Sequence, residues 1–382
     1  MSRDSQHHLK RRWLAAGMLF LAAVLSHAAV ATAQERAGVP EALGTAAWPA
    51  PAITSQTKRE EALLFTYFRD NGQAGVFLCR SEDGVKFIPL HEDKPIFTPP
   101  LWPGQNLTRD ASILYRNGLF RMVWTCQWKG RIFGYAESPD LAHWSEPQQV
   151  RPFPSALAEE DQPENIWAPE IHWDPFKQDY FVLFASTTRR ERTDGDGSDN
   201  KGNDTSPYDN RIYVTRTKDG RQFSDARLFF DQGFSCIDAV MRVDEKNQRW
   251  VMVVKNSRDF DLKTKPGRNL WLTFTGRDLD HPDFSPAEGP IAGNHSPLFS
   301  HPDPKKSMAE GQSLICFQDR WWLYWDEPAG HGIQLATSPD LEHWTHIRSA
   351  SFPRGSKHGT VFFAPRAAIG SLARINDGRK TP

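Results

Sequence analysis

Four acidic residues and one histidine each stand just ahead of a strand-like apolar run: Asp110 in Arg109-Asp110-Ala111-Ser112, Glu170 in Trp167-Ala168-Pro169-Glu170, Asp238 in Cys236-Ile237-Asp238-Ala239, Glu310 in Ala309-Glu310-Gly311-Gln312, and His358 in Lys357-His358-Gly359-Thr360. Carboxylates gathered away from water repel one another and lose solvation, so a chain keeps such a group where function needs it. The reaction that paired carboxyl groups serve best is glycoside hydrolysis, in which one acid protonates the leaving oxygen and one carboxylate activates water. As metal ligands the same residues are a poorer set, since carboxylates with a single histidine make a hard, weak site. No cofactor is required. A calcium ion on the axis near His358 would be structural.

These residues meet only if the elements that carry them are repeated around an axis. A short phrase recurs along the chain as Ser81-Glu82-Asp83-Gly84, Ser138-Pro139-Asp140-Leu141, Thr217-Lys218-Asp219-Gly220 and Ser338-Pro339-Asp340-Leu341, each followed by Phe or Trp, with a degenerate copy from Thr275 to Phe284. Its physical sense is an Asx-type turn in which the Asp caps the bend and the aromatic packs back into a core. Runs of strand length precede each phrase, and no stretch shows helical periodicity. The N-terminal run from Ala62 lacks a first strand, and the lone strand Thr360 to Ala364 supplies it. The expectation is an all-β, five-bladed β-propeller over residues 62–365, closed by pairing N-terminal strands with a C-terminal strand. Asp140 follows Asp110 by 30 positions and Asp340 follows Glu310 by 30, which predicts one shared register for the acids at one mouth of the channel.

Composition agrees with an enzyme acting on a neutral polymer. The 382 residues carry 46 Lys+Arg against 47 Asp+Glu, a formal charge of −1, so neither nucleic acid nor an anionic membrane is an expected partner. Aromatic residues reach 12%, with 14 Trp, which suits sheets and a sugar-binding cleft. Trp102, Trp128 and Trp167 are candidates to stack on a sugar, and Arg109, Glu170, Lys255, Arg268, His331 and His358 to contact it. Residues 1–33 read as a signal peptide, with Lys10-Arg11-Arg12 before an apolar run and Ala31-Thr32-Ala33 as a cleavage site. The mature protein is then exported, periplasmic or extracellular, without membrane attachment. Residues 34–61 read as a linker and 366–382 as a tail. Cys79, Cys126, Cys236 and Cys316 have no metal spacing, and their apolar surroundings favour buried thiols over disulfides. Arg189 to Asn210 is polar and glycine-rich, and reads as a surface loop ahead of a calcium loop because Asp199 and Thr205 stand where Gly and Glu are needed.

The blade-start motifs Arg109-Asp110-Ala111-Ser112-Ile113, Trp167-Ala168-Pro169-Glu170, Ile237-Asp238-Ala239, Ala309-Glu310-Gly311 and His358-Gly359-Thr360 resemble those of glycoside hydrolase family 43, in order and over almost the whole mature chain. The resemblance implies an inverting glycosidase with Asp110 as general base, Glu310 as general acid and Asp238 tuning and orienting the acid. It implies an oligo- or polysaccharide substrate, with exo action on α-L-arabinofuranosyl or β-D-xylosyl residues ahead of a β-D-galactofuranosidase or a non-catalytic carbohydrate-binding propeller. The chain departs from the family at Ala111, Ala239 and Gln312, where Pro is common, and at Glu170, where Asp is common. On this reading Glu310 stays protonated through burial and the nearness of Asp238.

Overall fold

The computed structural model describes residues 60–188, 208–257, 267–298, 307–328 and 331–373. All of them lie in the unit Trp48–Pro382. The expected signal peptide, most of the linker, most of the loop 189–210 and the end of the tail lie outside the described residues.

The strands form five antiparallel sheets. The first holds β1 (Glu61–Tyr67), β2 (Phe77–Ser81) and β3 (Ile88–Pro89), and the second β4 (Arg109–Arg116), β5 (Leu119–Thr125), β6 (Phe133–Ser138) and β7 (Gln148–Val150). The third holds β8 (Trp167–Asp174), β9 (Asp179–Ser186), β10 (Arg211–Thr217) and β11 (Arg227–Phe230). The fourth holds β12 (Cys236–Asp244), β13 (Arg249–Asn256) and β14 (Asn269–Thr275); the fifth holds β15 (Glu310–Phe317), β16 (Arg320–Glu327), β17 (Gly332–Ser338) and β18 (Thr345–His346). Finally β19 (Val361–Pro365) returns to the first sheet, antiparallel to β1, with Ala62 opposite Ala364 and Leu64 opposite Phe362. The first strands β4, β8, β12 and β15, with β19, pack on one another in turn and close the ring. This is the five-bladed propeller that the repeat predicts.

Packing explains why the strands read as nearly unbroken apolar runs. Each of the five blade–blade interfaces holds its own core, so both faces of a sheet are buried. On β5, Met122 and Trp124 face the first blade and Val123 faces the third. On β1, Leu64 joins the core toward the second blade while Leu63 and Phe65 join the core toward the fifth. Past β19, residues 366–373 form helical turns, and Ile369 and Leu372 pack into the first of these cores. Cys79, Cys126 and Cys236 are buried free thiols; Cys316, near the end of β15, is also free but exposed.

The recurring phrase forms the same turn each time. Ser138 Oγ accepts the Leu141 N–H at 2.8 Å, and Asp140 Oδ1 accepts the N–H groups of Ala142 and His143 at 3.0 and 2.8 Å. The copies at Ser81, Thr217 and Ser338 repeat the pattern. The residue after each Asp is left-handed: Gly84 and Gly220 in two blades, Leu141 (φ 62°) and Leu341 (φ 71°) in the others. Leucine tolerates that backbone here because its side chain is buried between blades, Leu141 completely. Leu141→Ala is therefore expected to cost about 3 kcal/mol through the cavity it leaves. Leu141→Gly, although smaller still, is expected to cost no more than Leu141→Ala, since glycine removes about 1 kcal/mol of left-handed strain. Urea denaturation of the two variants checks the order.

Candidate active site

Each first strand carries a β-bulge just inside its start: between Arg109 and Ser112, Trp167 and Glu170, Ile237 and Val240, and Glu310 and Ser313. Inside every bulge one residue is left-handed: Asp110 (φ 53°), Ala168 (φ 46°), Asp238 (φ 59°) and Gly311 (φ 60°). Non-glycine residues in that conformation are strained and cluster at functional sites, and bulges re-aim side chains. This corrects the expectation of one register. Asp110 and Asp238 occupy the left-handed position, Glu310 stands one residue before it, and Glu170 two residues after it. The equal spacings are a coincidence of loop length, since the path from the start of the second strand to the turn serine is one residue shorter in the Glu310 blade than in the Asp110 blade.

The bulges nonetheless bring Asp110, Asp238, Glu310 and His358 into one electrostatic cluster. His358 Nδ1 lies 3.3 Å from Asp110 Oδ1. Asp238 Oδ2 accepts the Gly311 N–H at 2.9 Å, which ties it to the strand bearing Glu310. Gly311 is required twice over, by its left-handed backbone and because a Cβ would stand 2.6 Å from the His358 side chain. Lys255 Nζ sits 2.6 Å from Glu310 Oε2 and is only 6% exposed. Gln312 donates its side-chain amide to the carbonyl oxygens of Asp238 and Val253, so one of the departures from the family pattern fastens the fourth blade to the fifth.

Two cations set the protonation states. Burial pushes His358 down, but the carboxylates of Asp238 and Asp110 outweigh it and raise the imidazole to about 9, so it is charged at neutral pH. Burial pushes Asp110 up, but the charge and hydrogen bond of His358, helped by Arg109 and Thr125, hold it below the usual aspartate range. Burial raises Asp238 against the opposing pull of His358 and Lys255. Burial likewise pushes Glu310 up, yet the Lys255 ion pair holds it below the usual glutamate range. That corrects the expectation that Glu310 is kept protonated here: a buried ammonium in direct contact stabilises the anion more than burial destabilises it.

The remaining candidates fall into two groups. Glu170 lies inward of the mouth, where Oε2 accepts the Thr360 hydroxyl at 2.9 Å and Oε1 is 3.8 Å from Arg242, whose other nitrogen is 3.2 Å from His172 Nδ1. At the rim beside Asp110, Trp128 is 47% exposed. The Arg109 guanidinium lies 4.1 Å from its ring centre, and Asn71 Oδ1 accepts hydrogen bonds from both Trp128 Nε1 and Arg109. Trp167 meets Trp128 edge-on at 5.8 Å, donates to the Trp128 carbonyl and packs on Tyr208. Trp102 instead stacks on the buried Trp124. Arg268 lies near Lys255, and His331 near the buried Glu327. Around the axis the charges are paired within the protein: His358 faces Asp110 and Glu170 is met by Arg242. Asn71, Arg242 and Asp326 escaped the sequence reading. Only Asp326 carried a signal there, as an acid closing the apolar run Trp321 to Trp325.

Residues 59–367 match the family described as a "Probable glycosyl hydrolase domain" related to family 43. No curated protein matches the chain. Among solved structures it is similar to a thermostable family-43 glycoside hydrolase (15% identity, 65% of this chain and 73% of that one, TM-score 0.46). It is also similar to a xylan β-1,4-xylosidase from Bacillus halodurans C-125 (16% identity, 64% of this chain but only 42% of that one, TM-score 0.46). A third is the exo-β-1,3-galactanase of Phanerochaete chrysosporium with β-1,3-galactotriose (12% identity, 63% of this chain and 50% of that one, TM-score 0.43).

The His358 charge leaves a signature in stability. With the folded imidazole at about 9 and its ordinary value at 6.5, the stabilisation is complete below pH 6.5 and lost as pH rises through 9. The melting temperature is expected to fall across that window in the native chain and to stay much flatter in His358→Gln, as read by calorimetry.

Proposed function

This chain belongs to the glycosyl hydrolase domains related to family 43, and from that premise we propose that it is an inverting, exo-acting glycosidase of α-L-arabinofuranosyl or β-D-xylosyl residues on plant-type polysaccharides. Asp110 is the general base. Its ionised carboxylate, held so by His358, takes a proton from the water that attacks the anomeric carbon. Glu310 is the general acid, giving its proton to the leaving oxygen as the C–O bond breaks. Asp238 orients Glu310 through the Gly311 N–H and adds negative charge beside it. Substrate draws Lys255 from Glu310 toward its own hydroxyls, so the acid gains its proton only when a sugar is in place.

The observation that carries this reading is the place of His358. It sits on the blade between those of Asp110 and Glu310, pairs with the first and bears on the second. The two proposed catalytic carboxyls stand two blades apart around the ring, with the blade of His358 between them, which supports the wider gap that inversion requires. Trp128, Trp167 and Arg109 form the sugar-stacking rim on the Asp110 side. Lys10-Arg11-Arg12 and the apolar run after it support an exported, periplasmic or extracellular enzyme.

The test is hydrolysis of nitrophenyl α-L-arabinofuranoside, β-D-xyloside and β-D-galactofuranoside. One sugar is expected to turn over, with the rate falling at least about 100-fold in both Asp110→Ala and Glu310→Ala. Proton NMR of the first product is expected to show the inverted anomer; retention would remove Asp110 from the role of base. Turnover of the galactofuranoside alone would replace the proposed sugars while leaving the mechanism standing.

A further inference from the structure

Asp326 on β16 stands directly opposite Glu310 in the β15–β16 pairing. Side chains so placed have Cβ atoms about 5 Å apart. Asp326 is 4% exposed, and its carboxyl accepts the backbone N–H of His358. One side chain thus faces the strand of the acid and grips the segment whose imidazole braces the base. Around this pair of carboxyls stand Lys255 from β13, Asp238 from β12, Asp110 from β4, and Lys357 and His358 from the segment leading into β19. Lys255 claims Glu310 as an anion, and the buried Asp326 beside that charge does not ionise readily.

We propose that Asp326 is a positioning residue that stores the proton Glu310 delivers: the two carboxyl groups hold one proton between them, on Asp326 while Lys255 is paired with Glu310, and on Glu310 once substrate has drawn Lys255 away. This rests on Glu310 being the general acid. The proton leaves a carboxyl oxygen of Asp326 for a carboxylate oxygen of Glu310, which passes it to the glycosidic oxygen as that bond to carbon breaks. The attacking water loses a proton to Asp110, and exchange with solvent then returns one proton to the carboxyl pair and takes one from Asp110. Burial, and next the charge of Glu310, push Asp326 up to about 7, as a coupled pair requires.

Two measurements test this. Asp326→Asn keeps an oxygen for the His358 N–H but stores no proton. Its kcat/KM profile is expected to lose activity at a pH lower by about one unit on the alkaline side, with KM within about twofold of the native value. An alkaline limb that does not move overturns the proposal, since a merely structural role would lower kcat without shifting it. Independently of turnover, and without an Asp326 variant for the readout, carboxyl carbon-13 NMR should show Asp326 titrating near neutrality in the native chain. In Glu310→Gln that titration is expected to fall by about one unit or more as the neighbouring charge disappears; an unchanged titration also overturns the proposal. The reading beneath it fails differently, by Glu310→Gln remaining active.

Discussion

The structure turns on charge compensation at one end of the propeller. Asp238 is buried, Asp110 nearly so and Glu310 half-buried, and the loss of water around them pushes all three toward the protonated form. His358 and Lys255 oppose it from different blades and on different partners. His358 pairs with Asp110 and Lys255 with Glu310, and each cation holds its carboxyl below the usual range against burial. In the mechanism proposed above, the same physical effect prepares one carboxyl for its role and holds the other out of its role until substrate arrives.

The bulges make this crowding geometrically attainable. A regular first strand would point alternate side chains into the blade interfaces, and a one-residue slip would exchange the two sets. The extra residue in each bulge breaks that alternation just inside the mouth, so Asp110 and Asp238 aim into the site from left-handed backbone while the rest of the strand keeps its core contacts. In the fifth blade the left-handed residue is Gly311, and the acid comes from the position before it. His358 then packs where a Cβ on Gly311 would have stood. Strain at the mouth is offset by the cores behind it, one at each blade interface.

Much of this was legible in the residues alone. The Ser/Thr-x-Asp phrase marks each outer turn because the side-chain bonds that build it are local, spanning two or three residues. The closing strand was legible because a first blade without a first strand and a last strand without a blade complete each other. The acids were legible as a set because each precedes an apolar run. Their exact register was not, since a loop one residue shorter mimics an aligned residue. Asn71 and Arg242 were not legible, because the contact that gives each its role comes from another blade; Asp326 showed only as an acid closing an apolar run, because strand pairing and not spacing sets it opposite Glu310.

The sequence by itself determined the five-fold repeat, the ring closure and the identity of Asp110, Asp238 and Glu310 as the converging acids. Those follow from short-range bonding and from hydrophobic runs whose order along the chain is also their order in space. Only the tertiary structure decided the protonation state of each acid. A pKa depends on burial and on charges within a few ångströms, and here those charges, Lys255 on Glu310 and His358 on Asp110, are separated along the chain by 55 and 248 positions. No pattern in a linear sequence reports that Lys255 rather than water faces the acid.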